Sequence, residues 1–444
     1  MSPVAVIADE LRTLLGSAEV RSGNGLERYG LAGQVPRAAV VPRDAAGVAA
    51  ALRFAAQAGL AVVPWGHGSY QSIGSLPLRY DLALDLSGLD RLIAHEPADM
   101  TVTAQAGIRF AEVQSRLAAH GQFLPLDPPL AEASTLGGVL ATRGCGPLRC
   151  RYGTARDLVL GLRIAQPDGT VTKAGASVVK NATGYDVTKL HLGAHGTLGV
   201  ILEATLRVYP RPEVEQGWWI GTRDGGDGKV LQEVANRILV SSLVPDRVEY
   251  GDPLAARTWG APGGGPVLLV SLGGIRESVA GRAADLRRIV EAHGARLADA
   301  GVSPPPWAHL SEFPWSVRGS AEGSAWAIWR AGVLPAESIA ALAAVREAVA
   351  PLAEMGAAAT MAHGALRGVL RATSTGNLVQ ALGAARAALA TRGGYLVVLD
   401  APASLRRAID PWGASPGGLE VMRRLKHAFD PGGVLNPGRF VGGI

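Results

Sequence analysis

The loop Gly66-His67-Gly68-Ser69 restricts the possible folds of this chain more than any other feature. It follows a short apolar run, residues 60–63, that reads as a strand. The segment after it, residues 71–80, is polar and leads into a second apolar run at 82–86. Two glycines one residue apart leave backbone N–H groups open to an anion, because no side chain shields them. A Rossmann site needs a strand, a G-x-G-x-x-G loop and then a helix. Here position 71 is Gln and the loop joins strand to strand. Any nucleotide must therefore be held in a different architecture.

Two more glycine clusters follow. The first runs from Pro125-Leu126-Asp127-Pro128-Pro129 through Ser134-Thr135-Leu136-Gly137-Gly138 to Gly144-Cys145-Gly146; the second is Gly193-Ala194-His195-Gly196-Thr197-Leu198-Gly199. Glycine-rich approaches so far apart suit a long ligand lying between two subdomains. Around them, strand and helix signals alternate. Strands are predicted at 38–41, 82–86, 101–105 and 199–208, with a hairpin at 158–165 and 170–173 around Pro167-Asp168-Gly169. Asp44 is placed to cap a helix with Val48, Leu52 and Ala55 on one face, and Ser134 to cap another. A third helix spans 109–120.

Pro210-Arg211-Pro212 marks a boundary, and the second half has a different texture, with loops at 224–228 and 260–266 and an Ala-rich helix at 336–350. Strands recur at 267–271 and 395–399. We read four segments: a lead at 1–35, a first domain at 36–212, a separate α+β domain at 213–424 and a tail at 425–444. The part of that tail from Phe429 to Phe440 is too dense in Gly, Pro and Asn for regular structure.

Composition excludes several classes. Of 444 residues, 48% are hydrophobic and 18% charged, enough for a large core and too apolar for a disordered chain. The net charge is +5, but basic runs such as Arg287-Arg288 and Arg423-Arg424 are only two long, so no nucleic-acid stripe is predicted. Cys145 and Cys150 are the only cysteines. They cannot staple a chain this size, and a reducing, cytoplasmic setting with two free thiols is expected. Asp9 and Glu10 argue against a signal peptide. The longest nearly apolar stretch, 45–65, carries Arg53, so membrane association is expected to be at most peripheral.

Taken together, the 66–69 loop, the Asp127…Thr135-Leu136-Gly137-Gly138 segment, the stretch Lys180-Asn181-Ala182-Thr183-Gly184-Tyr185-Asp186-Val187-Thr188-Lys189-Leu190, Gly196-Thr197-Leu198-Gly199-Val200-Ile201 and the terminal Phe429-Asp430-Pro431-Gly432-Gly433-Val434-Leu435-Asn436-Pro437-Gly438-Arg439 resemble the vanillyl-alcohol-oxidase-type (PCMH-type) FAD-binding family. Within it, Gly146-Pro147-Leu148-Arg149, Tyr152-Gly153 and Arg156-Asp157-Leu158-Val159-Leu160-Gly161 look most like the E-subunit class of bacterial glycolate oxidases.

The resemblance implies an α+β fold: a two-subdomain FAD-binding domain, an α+β cap and a tail that returns to the flavin. It implies that Gly66, His67, Gly68, Ser69 and Tyr70 bind the FAD pyrophosphate, and that Ser134, Thr135, Gly137 and Gly138 meet the phosphates and ribityl chain. It further implies Asp127 nearby, Ile201 by the adenine or ribose and Asn436 near the ring. Some relatives anchor FAD through a histidine, but Gly68 occupies that linking position here, so non-covalent FAD is expected. The His-x-Gly-Asp-Gly-Asn-x-His metal motif of hydroxy-acid dehydrogenase relatives is absent; the chain has only Met361-Ala362-His363-Gly364-Ala365-Leu366-Arg367, and no metal site is expected.

Oxidising a 2-hydroxy acid such as glycolate needs a cation for the carboxylate and a base for the hydroxyl proton. Arg318 and Arg330, in a Trp-rich stretch, are candidates for the first role. His363, and behind it His309 and His427, are candidates for the second. Three readings stay open: an FAD subunit of a glycolate oxidase-like complex with a second FAD subunit and an iron–sulfur subunit, a stand-alone FAD-linked dehydrogenase or oxidase, and a flavin-bearing structural subunit. Two cysteines are too few for a cluster within this chain.

Overall fold

The computed structural model describes residues 3–15, 19–176, 186–222, 228–302, 307–318 and 325–444. The expected loop at 224–228, apart from Gly228, and positions 180–185 of the Lys180–Leu190 stretch lie outside the described residues.

The first sheet has four strands, ordered Glu19–Arg21, Ala38–Val41, Leu82–Asp85 and Val62–Trp65. Its helix forms as the sequence predicts. The Asp44 carboxylate accepts the Gly47 N–H at 2.8 Å, and Ala45–Gln57 buries Val48, Leu52 and Ala55. The strand predicted at 60–63 starts two residues late, because Ala61 is held outside the ladder. Its N–H donates to the Asp81 carboxylate and its carbonyl accepts from Asp81 and Leu82. Val62–Trp65 and Leu82–Asp85 then run parallel. A parallel crossover usually contains a helix; this one has none, and it carries the 66–69 loop at its start.

The second sheet is antiparallel, ordered Leu92–Glu96, Thr101–Gln105, Val200–Arg207, Val159–Ala165 and Val171–Gly175. The hairpin around Pro167-Asp168-Gly169 is present. Leu92–Glu96 was not predicted: its side chains are half-buried or exposed without clean alternation, and it forms by pairing with its neighbour. Helices Phe110–Ala118 and Leu136–Thr142 pack on this sheet. The cap of the second is Thr135 rather than Ser134. The Thr135 hydroxyl accepts the Gly138 N–H at 3.2 Å, while the Ser134 hydroxyl donates back to the Ala131 carbonyl.

The third sheet has eight strands, all paired antiparallel, drawn from residues 214–400. One face is backed by helices Gly228–Leu239, Arg276–Ala292, Ser338–Val349 and Thr375–Ala390, over a core that includes Trp218, Val270, Trp329 and Leu370. The other face turns towards the first two sheets. The period-two alternation of a strand sends Trp329 of Ala325–Gly332 into the helix-backed core and Arg330 to the opposite side.

The tail begins inside an unforeseen helix, Leu419–Phe429, and then becomes irregular as predicted. It is nevertheless pinned. Val62 donates to the Val434 carbonyl at 2.7 Å, and Asn436 donates back to the Val62 carbonyl at 2.9 Å, covering the open edge of the first sheet. The buried Asp430 carboxylate accepts from Val434 N–H, Leu435 N–H and the Lys426 ammonium. Removing one partner of a buried, hydrogen-bonded pair costs about 3–5 kcal/mol. D430A should therefore lower the apparent melting temperature by roughly 6 °C or more, at about 2–4 °C per kcal/mol. A thermal-shift curve unchanged from the parent would refute this role.

Candidate functional site

A cleft partly open to solvent separates the first two sheets, walled by Gly66 to Gln71 on one side and by Ser134, Thr135, Gly137 and Gly138 on the other. Ile201 and Val200 close it from the second sheet, and Asn436 and Arg439 from the tail. Except for Asp127, every residue proposed to bind the cofactor lines this cleft. Asp127 does not. Its carboxylate accepts the N–H groups of Gly146 (3.1 Å) and Leu148 (3.0 Å) and faces Arg247 of the third sheet at 3.9 Å. Burial pushes its pKa up to about 6 despite that arginine. Asp127 holds a loop in place rather than touching the cleft.

The lining fits a dinucleotide. The backbone N–H groups of 66–70 donate to no carbonyl or side chain among the described residues. Gly68 sits at φ +84°, and a Cβ on Gly66 would collide with the Thr135 hydroxyl, so the loop approaches the helix start as closely as atoms permit. Backbone donors at such a turn, together with the Leu136–Thr142 N-terminus, favour an anion. Buried polar atoms also stand without partners at the wall: Nδ1 of His67 and His191, Oδ1 of Asn436 and Nε of Arg439. Unpaired buried polar groups are costly, and a polar ligand satisfies them.

The comparisons agree with this geometry. The model described as "FAD binding domain" matches residues 36–175, and "FAD linked oxidases, C-terminal domain" matches residues 406–440. This chain carries an FAD-binding domain over residues 36–175. It is 33% identical over 223 residues to the mitochondrial D-lactate dehydrogenase (cytochrome) of Arabidopsis thaliana, covering 50% of this chain and 38% of that protein. It is 38% identical over 122 residues to glycolate oxidase subunit GlcE of Escherichia coli, covering 27% of this chain and 35% of that protein. These matches thus span well under half of the relatives' own length. The fold is shared along the whole chain with p-cresol methylhydroxylase, at TM-score 0.77 and 17% identity, over 99% of this chain and 97% of the other.

Beside the FAD cleft lies a second cavity of about 380 Å³, partly open to solvent and reaching to the third sheet. His195, Tyr70, Ile73 and Thr142 border both spaces. Arg330 lines this cavity with a buried, unpartnered Nε. The other two catalytic candidates are not brought there. Arg318 is half-exposed and spent on Asp400 at 2.9 Å, because it sits on an irregular turn outside the sheet. His363 is exposed at the end of a one-turn helix, Met361–His363, and does not line the cavity. His309 and His427 are exposed as well.

His195 was quoted in the third glycine cluster but given no role. It has φ +52°, its carbonyl accepts the Asn436 amide at 2.7 Å, and its ring packs against Trp412 and Phe440. Burial, aided by Arg330 and Arg439, pulls its pKa down to about 3. Arg439, the last residue of the terminal motif, is buried and donates to the Gln71 side chain and to the carbonyls of Gln71 and Ile73, fixing the loop after the nucleotide turn.

Two outcomes follow. G66A should cut retained FAD at least tenfold, read as the ratio of flavin to protein absorbance, with unchanged far-ultraviolet dichroism. His195 should stay neutral from pH 8 down to about 5, seen as constant imidazole chemical shifts. Since its folded pKa lies below the unfolded value, its stabilising contribution is complete above pH 6.5 and lost as pH falls towards 3.

Proposed function

We propose that this chain is the FAD-binding subunit of a glycolate oxidase-like complex, oxidising a 2-hydroxy acid to the 2-oxo acid and passing electrons to a partner. Arg330 carries the reading. It is a buried guanidinium, free of any carboxylate partner among the described residues, beside the FAD cleft. A guanidinium in such a place fits the carboxylate of a small acid as a fork.

The chemistry divides among few groups. FAD held by the 66–70 loop and the Thr135–Gly138 turn supplies a two-electron acceptor for a hydride leaving the carbinol carbon. Arg330 fixes the carboxylate and thereby the orientation of the C–H bond. Trp315, Leu399, Trp412 and Phe440 give the cavity an apolar wall that limits water. The neutral His195 ring, shared by both spaces, can accept a hydrogen bond from the substrate hydroxyl and so orient it, while the hydroxyl proton itself passes to solvent as the hydride leaves. A partner flavoprotein and an iron–sulfur subunit would take the electrons onward. Among the described residues no helix is long and apolar enough to cross a membrane, so contact with one would run through those partners.

One observation favours the flavin-bearing structural subunit instead: His309, His363 and His427 all lie outside the cavity. Anaerobic titration of the FAD-loaded protein with glycolate and D-lactate separates the two. Bleaching of the flavin band supports oxidation here. A flavin that dithionite reduces but no hydroxy acid does would establish the structural role. On the oxidation reading, R330M lowers kcat/KM by roughly 30- to 1000-fold, the ~2–4 kcal/mol expected for losing a buried charge-assisted contact, with FAD content unchanged.

A further inference from the structure

The cavity beside the FAD cleft is lined by Arg143, Arg149, Arg330 and Arg367 and, among the described residues, by no Asp, Glu or Lys. Arg367 is neutralised, since it pairs with the fully buried Glu249 at 2.7 Å and also donates to the Leu310 and Phe313 carbonyls. The other three have no carboxylate partner among the described residues. Arg149 and Arg330 each keep a buried Nε without an acceptor. Both Arg143 and Arg149 repel the charge on Arg330, so the three act on one region of space. Like charges brought together in a partly desolvated cavity are unfavourable unless an anion completes the set.

A single carboxylate on Arg330 would leave Arg149 and Arg143 uncompensated. They stand across the cavity, on the segment that follows the Leu136–Thr142 helix, whereas Arg330 comes from the third sheet. We infer that the substrate is dianionic: a 2-hydroxy acid whose far end carries a second carboxylate or phosphate, held between Arg330 and the Arg149–Arg143 pair. This rests on the hydroxy-acid reading above and narrows it away from glycolate itself.

Calorimetry on the FAD-loaded protein tests the charge requirement without turnover, using glutarate, 3-phosphonopropanoate and butyrate, none of which has a hydroxyl to oxidise. A dianion should bind at least roughly tenfold tighter than butyrate, a difference of about 1.4 kcal/mol. The R149M variant should erase that advantage and R149K should retain part of it. A preference for glutarate identifies the second group as a carboxylate, and for the phosphonate alone as a phosphate. Equal affinities for glutarate, phosphonate and butyrate would overturn the inference even if glycolate bleaches the flavin. Conversely, tight dianion binding with no bleaching by D-2-hydroxyglutarate would leave the ligand class standing and remove the oxidation reading.

Cys145 gives an independent readout. It lines the cavity with the Arg149 guanidinium 3.7 Å from its sulfur, whereas burial pushes the Cys150 thiol up to about 12. Iodoacetate should therefore alkylate Cys145 and spare Cys150. Glutarate should slow that alkylation and butyrate should not. Alkylation insensitive to glutarate would place the dianion elsewhere and refute the site.

Discussion

The pairing of Val434 and Asn436 with the backbone of Val62 holds the site together. Val62–Trp65 is an edge strand, and its open side would otherwise be a row of unpaired N–H and C=O groups. Two backbone hydrogen bonds satisfy part of that edge and bring residues from the far end of the sequence to the start of the 66–69 loop. Asn436 is then close enough to donate to the His195 carbonyl, and Arg439 to grip Gln71 and Ile73. The turn that presents free N–H groups is thus fixed from both ends, by its own strand and by the tail. Preorganised donors need not reorganise when an anion arrives.

The third sheet is joined to this assembly by charge as well as by apolar contact. Arg151 pairs with Asp246, and Arg247 reaches Asp127 at longer range while pairing with Glu215 inside its own sheet. Around them Arg367 meets Glu249. Burial pushes the carboxyls of Glu215 and Glu249 upward, and the neighbouring arginines oppose that push. Pairs of this kind add little net stability, but breaking one strands a charge. They fix how the cap sits, and so where Arg330 lies relative to the cleft. Asp127 belongs to this joint: the sequence placed it in the right cluster, but its oxygens are spent on the Gly146 and Leu148 backbone.

The nucleotide side of the site was legible because its chemistry lies in local backbone. A glycine pair after a strand, and a Thr-Leu-Gly-Gly helix start, state their geometry in four residues each. Elements with strong local signals appeared within a residue or two of their expected ends, such as the Asp44-capped helix and the 101–105 strand. Leu92–Glu96 had no such signal, being a half-exposed strand that exists through its partner. The substrate side was legible only in part. Arg318 and Arg330 look alike in sequence, twelve positions apart in one Trp-rich stretch. Which of them faces the cavity depends on where the strand begins and on its parity, and Arg318 falls before the strand while Arg330 lies within it.

The two spaces that meet at His195 place opposite demands on their walls. The FAD cleft offers mostly neutral donors, aimed backbone N–H groups with the Arg439 guanidinium at one wall. The adjoining cavity has guanidinium groups, three of them without a carboxylate partner among the described residues. A histidine between them that could take up a proton would add a further cation near Arg330 and Arg439, where repulsion is already present. Burial in the Trp412–Phe440 pack prevents this by keeping the ring neutral. The wall shared by cofactor and substrate therefore keeps the same charge across the physiological range, and the cavity's positive field is left for an anionic substrate to balance.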